Sequence, residues 1–111
     1  MTQTRADLLQ GTLELLILKT LALGEPIHGW GVALRIQRLS SDVLQVNQGS
    51  LYPALHRLEH KGWIRSEWGT SENNRRAKFY RLTTLGRAHL VEEQSQWDLF
   101  AGAVQQILHA T

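Results

Sequence analysis

The spacing of apolar residues changes twice along this chain of 111 residues, and these two changes limit the folds that it can adopt. Before Gly62 the apolar residues recur every three or four positions, which is typical of amphipathic helices. Between residues 63 and 82 aromatic and β-branched residues roughly alternate with polar ones, which indicates strands. After Thr83 the helical spacing returns and continues without a proline to about residue 109. The predicted order is therefore helices, a hairpin and a long final helix.

Three helices are predicted before the hairpin. The first covers residues 7–23 and has an apolar surface so broad that it should be buried on two sides. Gly24 and Pro26 follow it as stop signals. The second helix covers residues 28–39 and the third covers residues 47–62. No low-complexity linker separates these segments, so we expect them to pack together as one unit.

The hairpin is predicted from two strands, residues 63–68 and 77–82, with turn-forming polar residues between them. Its tip is basic. Three helices followed by a basic hairpin predict a winged helix-turn-helix DNA-binding domain in residues 1–82. The predicted fold class is mainly α with a small β-hairpin. Residues 83–111 add a long C-terminal dimerisation helix that forms one compact unit with the rest.

The final helix contains an apolar seam with steps of four and three residues, which resembles that of a coiled coil. At 1.5 Å per residue this helix would be about 40 Å long, longer than the body of so small a domain can cover. We therefore expect its seam to meet a second copy of the chain in a homodimer. The seam has one polar position, Gln94, and its predicted dimerisation residues are Leu90, Trp97, Ala101, Val104 and Leu108.

Positive charge is concentrated in the middle of the chain. Residues 35–87 contain ten Lys or Arg against four Asp or Glu, whereas the rest contains two against six. A basic centre between acidic flanks favours a polyanionic partner, although a merely solvated basic surface would give the same composition.

Composition excludes several classes of protein. The chain has no cysteine, which rules out disulfides, zinc fingers and thiol catalysis. Its longest apolar stretch, residues 13–23, is well short of a membrane span, and its polar start is unlike a signal peptide. We expect a cytoplasmic protein with no membrane partner, no cofactor and no metal.

The third helix has a second face that is unusual for a core helix. If Leu51, Leu55 and Leu58 define the core direction, Gly49 and Pro53 point away from it. Either Asn47 or Ser50 could cap the helix. We favour Asn47, in which case Pro53 removes the backbone hydrogen bond to Gly49 and the helix can approach another surface closely.

This second face suits the major groove of DNA, because it is small near its start and basic further along. Asn47, Gln48 and Ser50 could contact bases or sugars, and the hairpin tip could contact phosphates. Asn47 would be a preferred cap with or without DNA. The predicted DNA-binding residues are Asn47, Gln48, Ser50, Tyr52, Pro53, Arg57, Arg75, Arg76 and Lys78.

Two other functions compete with this hypothesis. His56, Glu59 and His60 match the H-x-x-E-H pattern of inverted zinc metalloproteases. The chain is too small to form a substrate cleft and needs Leu58 inside, so we expect no enzymatic activity. The winged helix could also be a scaffold for protein interactions without DNA binding. The tryptophans other than Trp97 are most simply explained by core or hairpin packing.

Four stretches taken together carry a family resemblance. They are GTLELLILKTLALGEPIHGWGVALRI, VNQGSLYPALHRLEHKGWI, NNRRAKFYRLTTLGR and SQWDLF. In this order and spacing they resemble the PadR family of bacterial transcriptional regulators, across nearly the whole chain. The length resembles the short branch of that family, whose members end in a single long helix.

The resemblance implies a homodimer that binds a double-stranded DNA operator, usually as a repressor, and is released by a small molecule or another signal. Residues 47–61 would enter the major groove, residues 64–82 would form the wing, and the terminal helix would dimerise. Some short-branch members hold flat aromatic compounds between tryptophans that match Trp97. A planar aromatic effector bound at Trp97 is therefore a hypothesis carried by the resemblance, and the packed interface tryptophan is its alternative.

Overall fold

The computed structural model describes residues 10–111, so the predicted start of the first helix at residues 7–9 lies outside the described residues. Within this range, four helices and three strands follow one another. They are α1 (Gln10–Ala22), β1 (Ile27–His28), α2 (Gly29–Leu39), α3 (Gln48–His60), β2 (Ile64–Thr70), β3 (Arg76–Leu82) and α4 (Thr84–Leu108). This order confirms the predicted fold class, a mainly α winged helix-turn-helix with a long C-terminal helix.

The sheet has one more strand than the sequence predicts. β2 and β3 form the expected antiparallel hairpin, and β1 pairs with the other edge of β3 through Ile27 and His28. A strand of two residues shows no alternation, which is why periodicity misses it. The turn between β2 and β3 contains Asn74 at φ 59°, a left-handed conformation that asparagine tolerates. We call β2, β3 and this turn the wing.

The core lies where α1, α2, α3 and the base of the wing meet. Its fully buried side chains include the three leucines that define the inner face of α3, so that prediction is confirmed. α1 contacts α2, α3, β3 and α4, which explains the breadth of its apolar surface. The largest fully buried side chains are Ile17, Leu18, Val32, Leu51, Leu55, Leu58 and Ile64.

α3 begins and ends with well-formed caps. The Asn47 side-chain oxygen accepts a hydrogen bond from the Ser50 N–H at 2.9 Å, which confirms Asn47 as the cap. Gly62 follows the helix at φ 79°, and the Trp63 N–H donates to the Leu58 carbonyl at 3.1 Å. These features form a Schellman motif, which turns the chain directly into β2.

α4 begins on the body of the protein and then leaves it. The Thr83 hydroxyl donates to the Gly62 carbonyl at 2.7 Å and accepts from the Gly86 N–H at 2.9 Å. Gly86 and Leu90 are buried, whereas no residue after Leu90 is. The described chain therefore measures 56 × 33 × 21 Å.

Candidate nucleic-acid interface

The outer face of α3 presents most of the residues that the sequence selects for DNA. Asn47, Gln48, Tyr52 and Pro53 are exposed, and Ser50 is half-buried. The cap occupies the Asn47 side-chain oxygen but leaves the amide nitrogen available as a donor. This end of the helix therefore combines small groups with hydrogen-bonding groups.

Arg57 is placed differently from the other predicted residues on α3. Its Nε donates to the Glu14 carboxylate of α1 at 2.6 Å, and the Arg57 side chain is half-buried. Lys61 Nζ lies 3.7 Å from the other oxygen of the same carboxylate. Helical periodicity predicts that Arg57 points away from the leucines. It does not predict the contact between Arg57 and Glu14 of α1. The ion pair leaves four guanidinium N–H donors for another contact.

The wing holds three cations close together. Arg75 and Arg76 are exposed and Lys78 is half-buried, and none of the three has an acidic partner within residues 10–111. Trp68 on β2 lies opposite Lys78 on β3. The Arg76 guanidinium lies 4.2 Å from the centre of the Trp68 ring, and Lys78 Nζ lies 5.7 Å from it.

An open groove of about 640 Å³ separates the wing from the helices, and we call it the wing groove. Tyr52 of α3 lines it on the helix side and Trp68 lines it on the wing side. The three wing cations also line it, against one carboxylate, that of Glu72. The groove is therefore both aromatic and positively charged.

Tyr80 closes the inner end of this groove. Burial raises the pKa of its phenol above the usual value, and the nearby Glu59 carboxylate and Tyr52 raise the pKa further. The Tyr80 hydroxyl is therefore neutral near pH 7 and adds no charge to the groove.

The predicted dimerisation residues fall into two groups. Leu90 is buried in the core of its own chain. Ala101 is half-buried, whereas Trp97, Val104 and Leu108 are exposed. Phe100 and Ile107 are exposed as well and extend the apolar surface. We call residues 91–108 distal α4.

Trp97 lies where α4 meets the start of α1. A cavity of about 300 Å³ is lined by Gly11, Thr12 and Leu15 of α1 and by residues of α4. The α4 side consists of Glu93, Gln96, Trp97 and Phe100. The cavity thus combines two aromatic rings, 5.9 Å apart between centres, with one carboxylate.

Glu59 of the H-x-x-E-H motif contacts a strand of the wing. Glu59 accepts a hydrogen bond from the Ser66 hydroxyl of β2 at 2.5 Å, so it joins α3 to the wing. Within residues 10–111 no three His, Asp or Glu side chains lie close enough together to hold a metal ion. None of the helices in that part of the chain is long and apolar enough to cross a membrane.

The sequence does not predict a functional role for two residues near this surface, Trp68 and Glu14. The sequence predicts only a packing role for Trp68, yet this side chain is exposed and lies near two cations. Glu14 is a buried carboxylate that pairs with Arg57 of α3. The signal for Glu14 is present in the sequence, because it interrupts the leucines of the first helix. Its partner on α3 cannot be found without the fold.

The chain is similar to known transcriptional regulators. The model of the transcriptional regulator PadR-like family matches residues 17–92. The transcriptional regulator Rv3488 of Mycobacterium tuberculosis is 41% identical over 68 residues, which are 61% of this chain and 60% of that protein.

Solved structures agree with this match. A transcriptional regulator from Clostridium thermocellum has a TM-score of 0.78 at 26% identity, covering 87% of this chain and 93% of that one. A PadR-like transcription factor from Bacteroides fragilis has a TM-score of 0.69 at 32% identity, covering 88% and 91%. The family match covers more than half of the sequence, and the chain therefore belongs to the PadR-like family of transcriptional regulators.

Proposed function

We propose that this protein is a dimeric repressor that binds a specific DNA operator and is released by a planar aromatic ligand. The main support is one observation: Tyr52, on the outer face of α3, lines the same groove as the three wing cations. A duplex could be read by α3 in its major groove and held by the wing through its phosphates.

The roles on this surface follow from the chemistry of the side chains. Gln48 and Ser50 can donate to and accept from base edges, because each carries a donor and an acceptor and both lie in the first turn of α3. Arg75, Arg76 and Lys78 can contact phosphates, since they have no acidic partner within residues 10–111. Arg57 can add a phosphate contact with the guanidinium nitrogens that Glu14 leaves available.

The exposed side chains of distal α4 support a homodimer. Trp97, Phe100, Val104, Ile107 and Leu108 form an apolar surface larger than single exposed residues would give. A second copy of the same helix would cover this surface around a two-fold axis. The two α3 helices would then face two half-sites of a pseudo-palindromic operator.

The cavity beside Trp97 supports a ligand as the releasing signal. Its indole and the Phe100 ring suit a flat aromatic compound, and the Glu93 carboxylate favours one with positive charge. Because α1 also lines the cavity, a ligand there would push α1 and α4 apart. A small rotation of α4 would change the separation of the two α3 helices.

Duplex binding can be tested with the DNA upstream of the protein's own gene. We expect a gel shift that weakens steeply with salt, and a loss of about 100-fold in affinity when Arg75, Arg76 and Lys78 are all changed to alanine. The matched control is Arg65→Ala with Arg81→Ala. These two exposed arginines lie directly opposite each other in the register of β2 and β3. Their side chains point to the opposite side of the sheet from Lys78.

The outcomes separate this proposal from a protein-interaction module. If no duplex is bound even at low salt, the interaction module is favoured. The triple variant removes three charges and the control removes two. If the affinity lost per charge removed is the same in both, the wing cations have no special role and only the net charge matters.

The ligand site is tested by tryptophan fluorescence. We expect a planar cationic dye to quench the wild-type emission and to release the operator in the same concentration range. Trp97→Ala should abolish the quenching, and Trp30→Phe should leave it unchanged because Trp30 lies at the wing groove. Equal quenching in Trp97→Ala and wild-type protein would contradict this site.

A further inference from the structure

The wing groove contains a residue with no role in the function proposed above. Trp68 lies on the sheet face that packs against α3, since Ser66 and Tyr80 on that face contact the helix layer and Trp68 lies two residues beyond Ser66. Ser66 and Tyr80 are largely covered, whereas Trp68 is 55% exposed. Trp68 therefore faces the groove and solvent, and core packing does not account for it.

Two cations lie over the Trp68 ring. Arg76 lies 4.2 Å over this ring and Lys78 Nζ lies 5.7 Å from the ring centre. A guanidinium stacked on an indole keeps its N–H donors free at its edge, unlike one that is paired with a carboxylate. The indole can thus hold both side chains against the wing without neutralising them.

Tyr52 forms the facing wall. It is 43% exposed on the second turn of α3 and lines the same groove. Its ring packs on the start of α2, where a Cβ on Gly29 would lie 3.0 Å from the ring. The absence of a side chain at Gly29 therefore makes room for the Tyr52 ring against α2. The Tyr52 hydroxyl can donate to or accept from a ligand in the groove.

We propose that Trp68 and Tyr52 are the two walls of a channel for one strand of duplex backbone, and that Trp68 positions Arg76 and Lys78 for its phosphates. This inference rests on the proposed DNA binding. The occupant follows from the lining: a phosphodiester strand alternates anionic phosphates with sugars of apolar character. The cations match the phosphates, and the aromatic faces match the deoxyribose rings.

This role differs from that of a base-reading residue. Contacts with phosphates and sugars add affinity for every duplex and carry no sequence information. Trp68 would therefore strengthen operator and non-operator binding alike. Its loss should also lower the salt dependence, because cations that are less well positioned displace fewer counterions.

The test uses the full chain with Trp68→Leu and the conservative variant Trp68→Phe. Binding to a labelled operator duplex and to a scrambled duplex is measured by fluorescence anisotropy across a range of salt concentrations. We expect Trp68→Leu to raise Kd about tenfold for both duplexes and to lower the slope of log Kd against log salt by about one. Trp68→Phe keeps an aromatic face and should stay within about threefold of wild type. Glu67→Ala, the exposed neighbour on the other side of the sheet, is the control.

Three results would overturn the inference. Wild-type affinity and slope in Trp68→Leu would show that the indole positions nothing. A loss limited to the operator duplex would show that Trp68 reads bases. A loss of equal size in Trp68→Phe, with an unchanged melting temperature, would exclude the stacking role. Absence of duplex binding by the wild-type protein would refute the proposed function itself, so the two failures are distinguishable.

Discussion

The two parts of α4 belong to one helix but have opposite surroundings. Its first two turns are part of the core, because Gly86 and Leu90 are buried. The preceding residue, Thr83, donates a hydrogen bond to the Gly62 carbonyl just after α3. Distal α4 carries Trp97, Phe100 and Ile107 in exposed positions, and Ile107 is 75% exposed. A continuous seam in the sequence thus serves two purposes. Its beginning completes the fold of one chain. Within residues 10–111, its remainder meets only the start of α1 near Trp97 and leaves the apolar side chains beyond it exposed.

The same contrast separates the two groups of basic residues. Arg57 and Lys61 at the end of α3 lie beside the Glu14 carboxylate, whereas Arg76 and Lys78 on the wing lie against an indole. Side chains that are buried or paired within the chain stabilise the fold. For the cations and apolar side chains that remain exposed, we propose a binding partner. Substitutions in the first group should change stability, and those in the second should change assembly or binding.

The largest effect is expected from Gly86→Ala on the covered part of α4. A Cβ there would lie 1.9 Å from the Trp63 carbonyl oxygen, so α4 would have to move away from the start of β2. We expect the free energy of unfolding to fall by about 3 kcal/mol or more, measured by urea denaturation.

Gly102→Ala is the matched control on distal α4. A Cβ at Gly102 meets no atom of the described residues within 4 Å, so the same substitution should stabilise the helix by up to about 1 kcal/mol. Equal effects at the two glycines would remove the contrast between the two parts of the helix.

The next largest effect is expected from Val104→Glu combined with Ile107→Glu. Two carboxylates on the proposed interface would have to be buried without partners, so we expect the dimer dissociation constant to rise about 100-fold or more. Sedimentation velocity measures it. Gln106→Glu, on the opposite side of the helix from Trp97, should leave the dimer intact. A double variant that remains as dimeric as wild type would place the interface elsewhere.

A smaller effect is expected at the buried carboxylate. Glu14→Gln leaves the half-buried Arg57 without its counter-charge, and we expect the free energy of unfolding to fall by about 1 to 2 kcal/mol. Glu25→Gln, at an exposed position, should have no measurable effect. If Glu14→Gln is as stable as wild type but binds DNA more weakly, the ion pair positions Arg57 without stabilising the fold.

The smallest effect is expected at the cap of α3. Asn47→Ala removes the acceptor for the Ser50 N–H and should cost about 1 kcal/mol of unfolding free energy, whereas Asn47→Ser should retain most of it. If DNA affinity falls in both variants while only alanine lowers stability, Asn47 has a contact with DNA besides its role as a cap.

These contrasts also explain what the sequence can and cannot predict. The Asn47 and Thr83 caps and the inner leucines of α3 are predictable, because each depends on residues within one or two turns. β1, the burial of Leu90 and the pairing of Arg57 with Glu14 are not, because each needs a partner distant in sequence. Trp68 falls between these cases. Its exposure depends on where the wing extends beyond α3, and periodicity does not contain that information.

Binding of DNA by a dimer is tested most directly by the mass of the complex with an operator duplex from upstream of the protein's own gene, measured by sedimentation equilibrium. We expect two chains on one duplex, and much weaker binding when either half-site is scrambled. One chain per duplex, with an affinity that does not depend on the second half-site, would contradict this expectation.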